Sequence, residues 1–349
     1  MSSNKYQNAL DRINANINPD ITQKGSIGSS GAIKNDIYEK CLAAFNKNVE
    51  PDITTCENIT PRLYENAYIE GTWPVTLEDS VIDILGGWAF YKCSSLTSVS
   101  LPACESIGEE AFEECVSLTS VNFPVCTSIG AQAFASCPSL TSVKFPACES
   151  MGTKAFASCA SLTSVSFPVC ESIGAQAFYD CESLAGINFP ACTSIGSSAF
   201  QSCNSLISAN FPACKTIENN ALYACQNLIG VSFPVCESIG DWAFFICASL
   251  TSANFPACTS IGKKAFYPCA SLATVSFPVC TSIGDGAFEG CTSLASLYFT
   301  GSSVPSIASG TFSGLPSTAT FYVAASMVDA FKSASYWSAF ASQIVAYAE

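Results

Sequence analysis

A right-handed, α/β-type solenoid of about ten 22-residue coils, with a parallel sheet along one side, is the fold this sequence predicts. Three observations point to it. A cysteine stands at every eleventh position from Cys93 to Cys291, as two interleaved series that each recur every 22 residues. A leucine column runs without substitution from Leu96 through Leu118 and Leu140 to Leu294. An alanine column runs equally unbroken from Ala89 through Ala111 to Ala287. A fixed period between roughly 20 and 50 residues marks architectures in which each repeat is one coil stacked on its neighbour.

Four stretches follow in chain order. Residues 1–50 differ in composition from the rest, and Asn4 to Ile17 and Lys34 to Asn48 each read as a short helix around the linker GSIGSSG. They form a cap, an attachment or oligomerisation module, or a leader. Residues 51–80, with Pro51, Pro61 and Pro74, lead into the repeats. Residues 81–300 are the coils, and a continuous solenoid is expected from Ile82 to Ala325. Residues 301–349 hold a degenerate last coil, in which Ile307, Phe312 and Leu315 keep the apolar order, and a capping helix over 326–346. Ser326 is placed to cap that helix with Asp329 at its third position. Met327, Phe331, Tyr336, Phe340 and Ile344 would cover the last coil.

Within a coil, such as Ser161 to Cys181, the pattern L-x-x-V-x-F describes a strand, because the first and last residues of V-x-F point one way and the middle one the other. Proline closes it, since it cannot donate to a ladder. The second half, C-x-S-I-G-x-x-A-F-x-x-C, sends Ile107 and Phe112 and their equivalents inward. The glycine column (Gly108, Gly130, Gly152) is expected to take a turn of positive φ. One coil breaks the pattern with Glu218 for glycine and Leu222 for phenylalanine, and Asn219 is expected to take the turn there.

The run Ala111 to Pro124, A-F-x-x-C-x-S-L-T-S-V-x-F-P, resembles the BspA-type leucine-rich repeats of bacterial surface proteins. It recurs about ten times between Ile82 and Thr300. The resemblance implies a solenoid with a parallel sheet on one side, and a role as an adhesin that binds host or partner proteins. The terminal strand and YW-containing helix resemble the cap of gut-bacterial and phage-encoded members. Two features depart from the family. Cys104 and its equivalents stand where an aliphatic residue is expected. The start, MSSNKYQNALDRINANI, does not read as a secretory signal peptide. That leaves a cytoplasmic or virion-associated location against the surface location of the family.

Composition narrows the chemistry. The formal charge is −14 and there is no histidine. Without a basic stripe, nucleic acid and anionic membrane are poor partners. The longest apolar runs are too short and interrupted for membrane insertion. Without histidine, Ser–His and Cys–His nucleophile pairs cannot be assembled, and no glycine-rich phosphate loop follows a strand. The chain therefore reads as no enzyme, with no cofactor. Cysteines spaced by 11 lack the paired ligands of a zinc site, so no metal is expected. Parallel Cβ vectors in an in-register stack strain any disulfide between coils. The cysteines read as small buried free thiols in a reducing setting. The acid pairs Glu109–Glu110 and Glu113–Glu114 read as a solvated face.

Candidate binding residues come from the columns that vary. One position after the core phenylalanine, Tyr179, Tyr223, Phe245 and Tyr267 occupy four of five successive coils, with Trp242 and Ile246 beside them. This reads as an exposed aromatic strip suited to a protein or glycan ligand. The outer side of the strands, beginning at Ser98 and Ser100, is small and polar apart from Lys144 and Tyr298, and ranks below it. The expected function is non-enzymatic recognition or adhesion on a cell surface. The alternative is a structural phage or prophage appendage anchored by the N-terminal segment.

Overall fold

The computed structural model describes residues 76–78 and 82–348. The helices and the oligomerisation role expected of residues 1–50 lie outside them, as does most of the 51–80 lead-in. The strand Thr76–Glu78 pairs in parallel with Ser98–Ser100, so the ladder already begins inside the stretch read as lead-in.

Each coil carries two strands. The first is the expected one, three residues long in most coils, from Ser98–Ser100 to Ser296–Phe299. Its neighbours lie in register one period apart: Ser208 sits opposite Gly230, Ala209 opposite Val231 and Asn210 opposite Ser232. The second was read only as an inward isoleucine. It is a two-residue strand, and ten copies from Ile84–Leu85 to Ser282–Ile283 form an unbroken parallel sheet. The solenoid thus has sheets on two sides. The third side is a corner of turns that is also bonded between coils. The N–H groups of Trp88, Phe90 and Lys92 donate to the carbonyls of Glu109, Ala111 and Glu113 at 2.7–2.8 Å. The half of the coil outside the strands is therefore turn rather than helix.

The phenylalanines fill the interior as two parallel ladders. Phe112, Phe134 and Phe156 stack at 5.1 Å, and Phe123, Phe145 and Phe167 at 5.5–5.7 Å. The ladders meet edge to face at about 6 Å, the preferred aromatic geometry. Leu222 interrupts the first ladder. All cysteines from Cys93 to Cys291 are free and buried.

Two expectations about turns need correction. The glycine column does not have positive φ. In its place, two other positions do in nearly every coil, as at Glu110 (55°) and Glu114 (59°), and in the irregular coil Asn220 (58°) takes the turn, not Asn219. The glycines answer a close approach between coils. A Cβ on Gly108 would lie 2.4 Å from the nitrogen of Gly87, and one on Gly174 would lie 2.5 Å from the carbonyl carbon of Gly152.

The C-terminal cap is also more broken than a single helix. A 3-10 turn, Ala325–Met327, leads into a helix of six residues, Val328–Ser333, whose N-cap is Met327 with no side-chain cap bond. After it the chain turns at Tyr336 (φ 62°), makes a 3-10 turn at Trp337–Phe340 and ends as the strand Ile344–Tyr347, paired with Thr320–Ala324. The cause is Trp337. Its ring is buried among Phe299, Phe312, Phe321 and Phe331, and its Nε1–H donates to the carbonyl of Pro305 at 2.7 Å. Among the expected covering residues, Phe331 and Ile344 are buried, Met327 and Phe340 half-buried, and Tyr336 exposed.

Candidate functional site

The aromatic strip lies on the corner of turns. Its column is filled by alanine in two coils, where Ala135 and Ala157 are only 5% and 7% exposed. A larger side chain at this position must emerge, so Tyr179, Tyr223, Phe245 and Tyr267 are half-buried. Three of them join. Tyr223 stacks on Phe245 with ring centroids 4.7 Å apart and planes at 11°, and Phe245 meets Tyr267 at 5.4 Å. Tyr179 stands two coils away, separated from Tyr223 by Gln201, and belongs to no ring contact with them. Lys264 places its ammonium 4.7 Å from the Tyr267 ring centroid and 3.9 Å from Glu289.

Trp242 is half-buried beside this stack, in the left-handed column (φ 54°). Its equivalent Trp88 donates its indole N–H to Glu110 one coil on. The residue one coil beyond Trp242 is Lys264, which cannot accept a hydrogen bond. Ile246 occupies the second left-handed column (φ 57°), which other coils fill with serine, lysine, glutamate, aspartate, alanine or glycine, apart from Pro268, which is not left-handed. A β-branched residue there is an outlier, costing about 1–2 kcal/mol. One coil therefore concentrates Trp242, Phe245 and Ile246 on its corner at a cost in backbone strain. Sequence reasoning noted Ile246 as a neighbour but had no signal for its strain.

Face-to-face stacking changes what the strip can do. Tyr223 and Phe245 cover one face of each other, Tyr267 is tilted by 37° against Phe245, and ring edges and tyrosine hydroxyls are left for contact. A second cluster lies on the strand face at the C-terminal end, where Tyr298 stacks on Tyr322 at 4.8 Å and meets Tyr347 edge-on at 5.7 Å.

The thiols are structural. Each Cys104-type thiol donates to the carbonyl two residues ahead, as Cys126 does to Ser128 at 3.2 Å. Each Cys115-type thiol donates to a carbonyl 25 residues back, that of a phenylalanine in most coils, as Cys159 does to Phe134 at 3.1 Å, and that of Leu222 for Cys247. This accounts for cysteine where an aliphatic residue was expected: it is small and apolar, yet it has a donor for a buried carbonyl. Burial pushes the Cys104 thiol up to about 11 and those of Cys126 and Cys159 up to about 12, away from the reactive thiolate. Among the described residues no group of three or more Cys, Asp or Glu is arranged to hold a metal ion, and no helix is long and apolar enough to cross a membrane.

The acid cluster is not uniformly solvated. Glu113 is half-buried and accepts from Gln132 Nε2 at 3.1 Å, and burial, with Glu110 alongside, raises its carboxyl to about 7. Glu114 pairs with Lys92 at 3.4 Å.

Comparison with known proteins matches the family model of the BspA type leucine rich repeat region in six copies, over residues 57–169, 83–207, 149–273 and 215–340. The chain belongs to the BspA-type leucine-rich repeat family. Among solved structures, this BspA-type chain is similar to a leucine-rich repeat protein from Bacteroides ovatus, with 23% identity, 79% of this chain and 75% of that chain covered, and a TM-score of 0.55. A leucine rich cell surface protein from Faecalibacterium prausnitzii matches at 21% identity over 68% and 82% of the two chains, with a TM-score of 0.34. The pneumococcal vaccine antigen PcpA matches at 18% identity over 78% of each chain, with a TM-score of 0.44. A search of curated proteins gives no match.

Proposed function

We propose that this BspA-type solenoid is a non-enzymatic recognition protein. It binds a protein partner on a cell surface through the corner formed by Tyr223, Trp242, Phe245, Ile246 and Tyr267, with Tyr179 as an outlying contact. The observation that carries the reading is the stack itself. Tyr223, Phe245 and Tyr267 follow one another in three successive coils, in a column that other coils fill with alanine, glutamate, glutamine or an isolated tyrosine, and Ile246 is held beside them in a strained left-handed position. Rings that present edges and hydroxyls suit a partner's apolar ridge and hydrogen-bonding rim. A sugar needs an open ring face, so a protein is the preferred ligand over a glycan.

The test is an array of surface proteins and glycans probed with the intact chain, followed by the double variant Tyr223→Ala/Phe245→Ala. Alanine is what the chain itself uses at 135 and 157, so the melting temperature should hold within a few degrees. Binding to a protein spot should fall by about 2 kcal/mol or more, as for a buried anchor. Ile246→Gly should weaken binding while leaving the fold as stable or more so, because glycine relieves the left-handed cost. Binding that survives the double variant, or that selects glycans alone, overturns the assignment.

A further inference from the structure

Among the described residues, the ladder of face strands ends at Ile344–Tyr347. That strand pairs with Thr320–Ala324 on one side and with no strand on the other. The Phe321 N–H donates to the Gln343 carbonyl at 2.9 Å. Peptide groups alternate in direction along a parallel ladder. Those of Val345 and Tyr347 therefore turn back to the solenoid, and those of Ile344 and Ala346 turn away from it. Neither Ile344 nor Ala346 has a backbone bond outside the ladder among the described residues. Folded proteins blunt an open edge of this kind with charge, proline, a bulge or a covering segment. Residues 333–348 contain no charged residue and no proline. The register with Thr320–Ala324 runs without a bulge, and Val345, Ala346 and Tyr347 are all exposed.

We infer that Ile344–Tyr347 is the interface of a homodimer, in which a second copy of this chain lays its own Ile344–Tyr347 antiparallel along the first. The edge itself sets the register. Facing residues of an antiparallel pair exchange both N–H···O bonds, and only Ile344 and Ala346 have groups to exchange. Ile344 of each copy therefore faces Ala346 of the other. The two-fold axis passes beside Val345, which meets the partner's Val345 in a pair without hydrogen bonds, where Cα atoms lie about 4.5 Å apart and side chains are closest. A second copy is the occupant because this edge complements itself. Its two outward residues satisfy one another across the axis with none left over. Its neutrality also matters: two chains of charge −14 each can meet closely only where neither presents carboxylates, and a partner of opposite charge finds nothing to pair with there. Val345 and Tyr347, 38% and 39% exposed, supply apolar surface on either side of the join.

The test is the mass of the intact chain by sedimentation equilibrium over a micromolar concentration range. The natural chain should pass from one copy to two as concentration rises. Val345→Lys sets like charges across the axis, and Ala346→Pro removes an outward N–H that no ladder bond uses. Both variants should stay at one copy throughout, with melting temperatures within a few degrees of the natural chain; either decides the matter if the other fails to fold. Cysteines read the register. Under mild oxidant, Val345→Cys should link into a covalent dimer, its Cα lying within disulfide reach of its copy. Tyr347→Cys, about 13 Å from its copy along the strands, should link no more than the natural chain does. A natural chain that remains one copy at every concentration overturns the inference. So does a dimer that persists in both edge variants, or cross-linking of Tyr347→Cys in place of Val345→Cys.

Discussion

At the scale of single residues, two glycines of the same chain are expected to behave in opposite ways. Gly174 touches the backbone of the preceding coil, and an added methyl would lie 2.5 Å from the carbonyl carbon of Gly152. Gly174→Ala should destabilise by about 3 kcal/mol, the upper range of overpacking, because backbone cannot step aside as a side chain can. Gly230→Ala should be neutral or stabilising by about 0.5 kcal/mol, since it meets open space and removes freedom from the unfolded chain. Urea unfolding midpoints of the two variants decide this, and similar losses in both would refute the close-approach account. Glu113 adds a pH dependence of known sign. Its folded carboxyl titrates at about 7, above the ordinary carboxylate value near 4.5. A group raised in the fold binds its proton more tightly there than when unfolded. Its ionisation therefore costs stability above about 7, and that cost disappears as pH falls towards 4.5. Melting temperature should rise between pH 8 and pH 5 more in the natural chain than in Glu113→Gln. A difference of the opposite sign would remove burial as the cause.

At the scale of the element, each coil is a ring of short pieces held from outside. A strand of two residues, such as Ser172–Ile173, cannot form alone and exists because Ser150–Met151 and Ser194–Ile195 flank it. The thiols belong to this level, since each closes a hydrogen bond to a buried carbonyl at a corner. Buried thiols held away from ionisation should resist alkylation in the native protein. They should all react in denaturant without reductant, and native labelling should track global unfolding. Disulfide-blocked thiols from Cys93 to Cys291 would contradict this. The cap depends on one side chain. Removing the Trp337 ring empties the space between Phe299, Phe312, Phe321 and Phe331 and leaves the Pro305 carbonyl without its donor. Trp337→Ala should cost about 3–5 kcal/mol and expose the strand Ile344–Tyr347 to hydrogen exchange before any central coil. Uniform loss of protection along the chain would show that the cap is no separate unit.

At the scale of the molecule, departures from the repeat gather in one band. Glu218, Leu222, the exposed Ile207 and Ile229, and the rings from Tyr223 to Tyr267 fall in three neighbouring coils, on three sides of the solenoid. The Glu218 side chain fits because its carboxylate accepts from the Ser197 N–H at 3.0 Å, beside a shallow groove that Thr216, Ser238 and Gly240 also line. A stack of repeats is stable through its nearest neighbours, so one coil can vary without unfolding those two removed from it. The proposed corner surface uses that freedom.

The sequence by itself determined the period, the inward columns and the free thiols. Each follows from a spacing of 22 carried by residues whose burial depends only on their own side chains, such as Leu96, Phe112 and Cys104. It also identified the ring column, because aromatic residues in four of five equivalent positions are visible without coordinates. What only the tertiary structure decided depends on the coil next door. The second sheet is built of pairs too short to show a strand period. The glycine column reads like a turn in sequence, yet its reason is the distance from Gly108 to Gly87. The left-handed positions fall where corner N–H groups must reach the next coil, and even a β-branched residue, Ile246, is held in one of them. The final helix stops at Ser333 because Trp337 gains more by entering the core than the chain gains by continuing to turn. Neighbour distances of this kind exist only once the coils are stacked, and so no single coil's sequence records them.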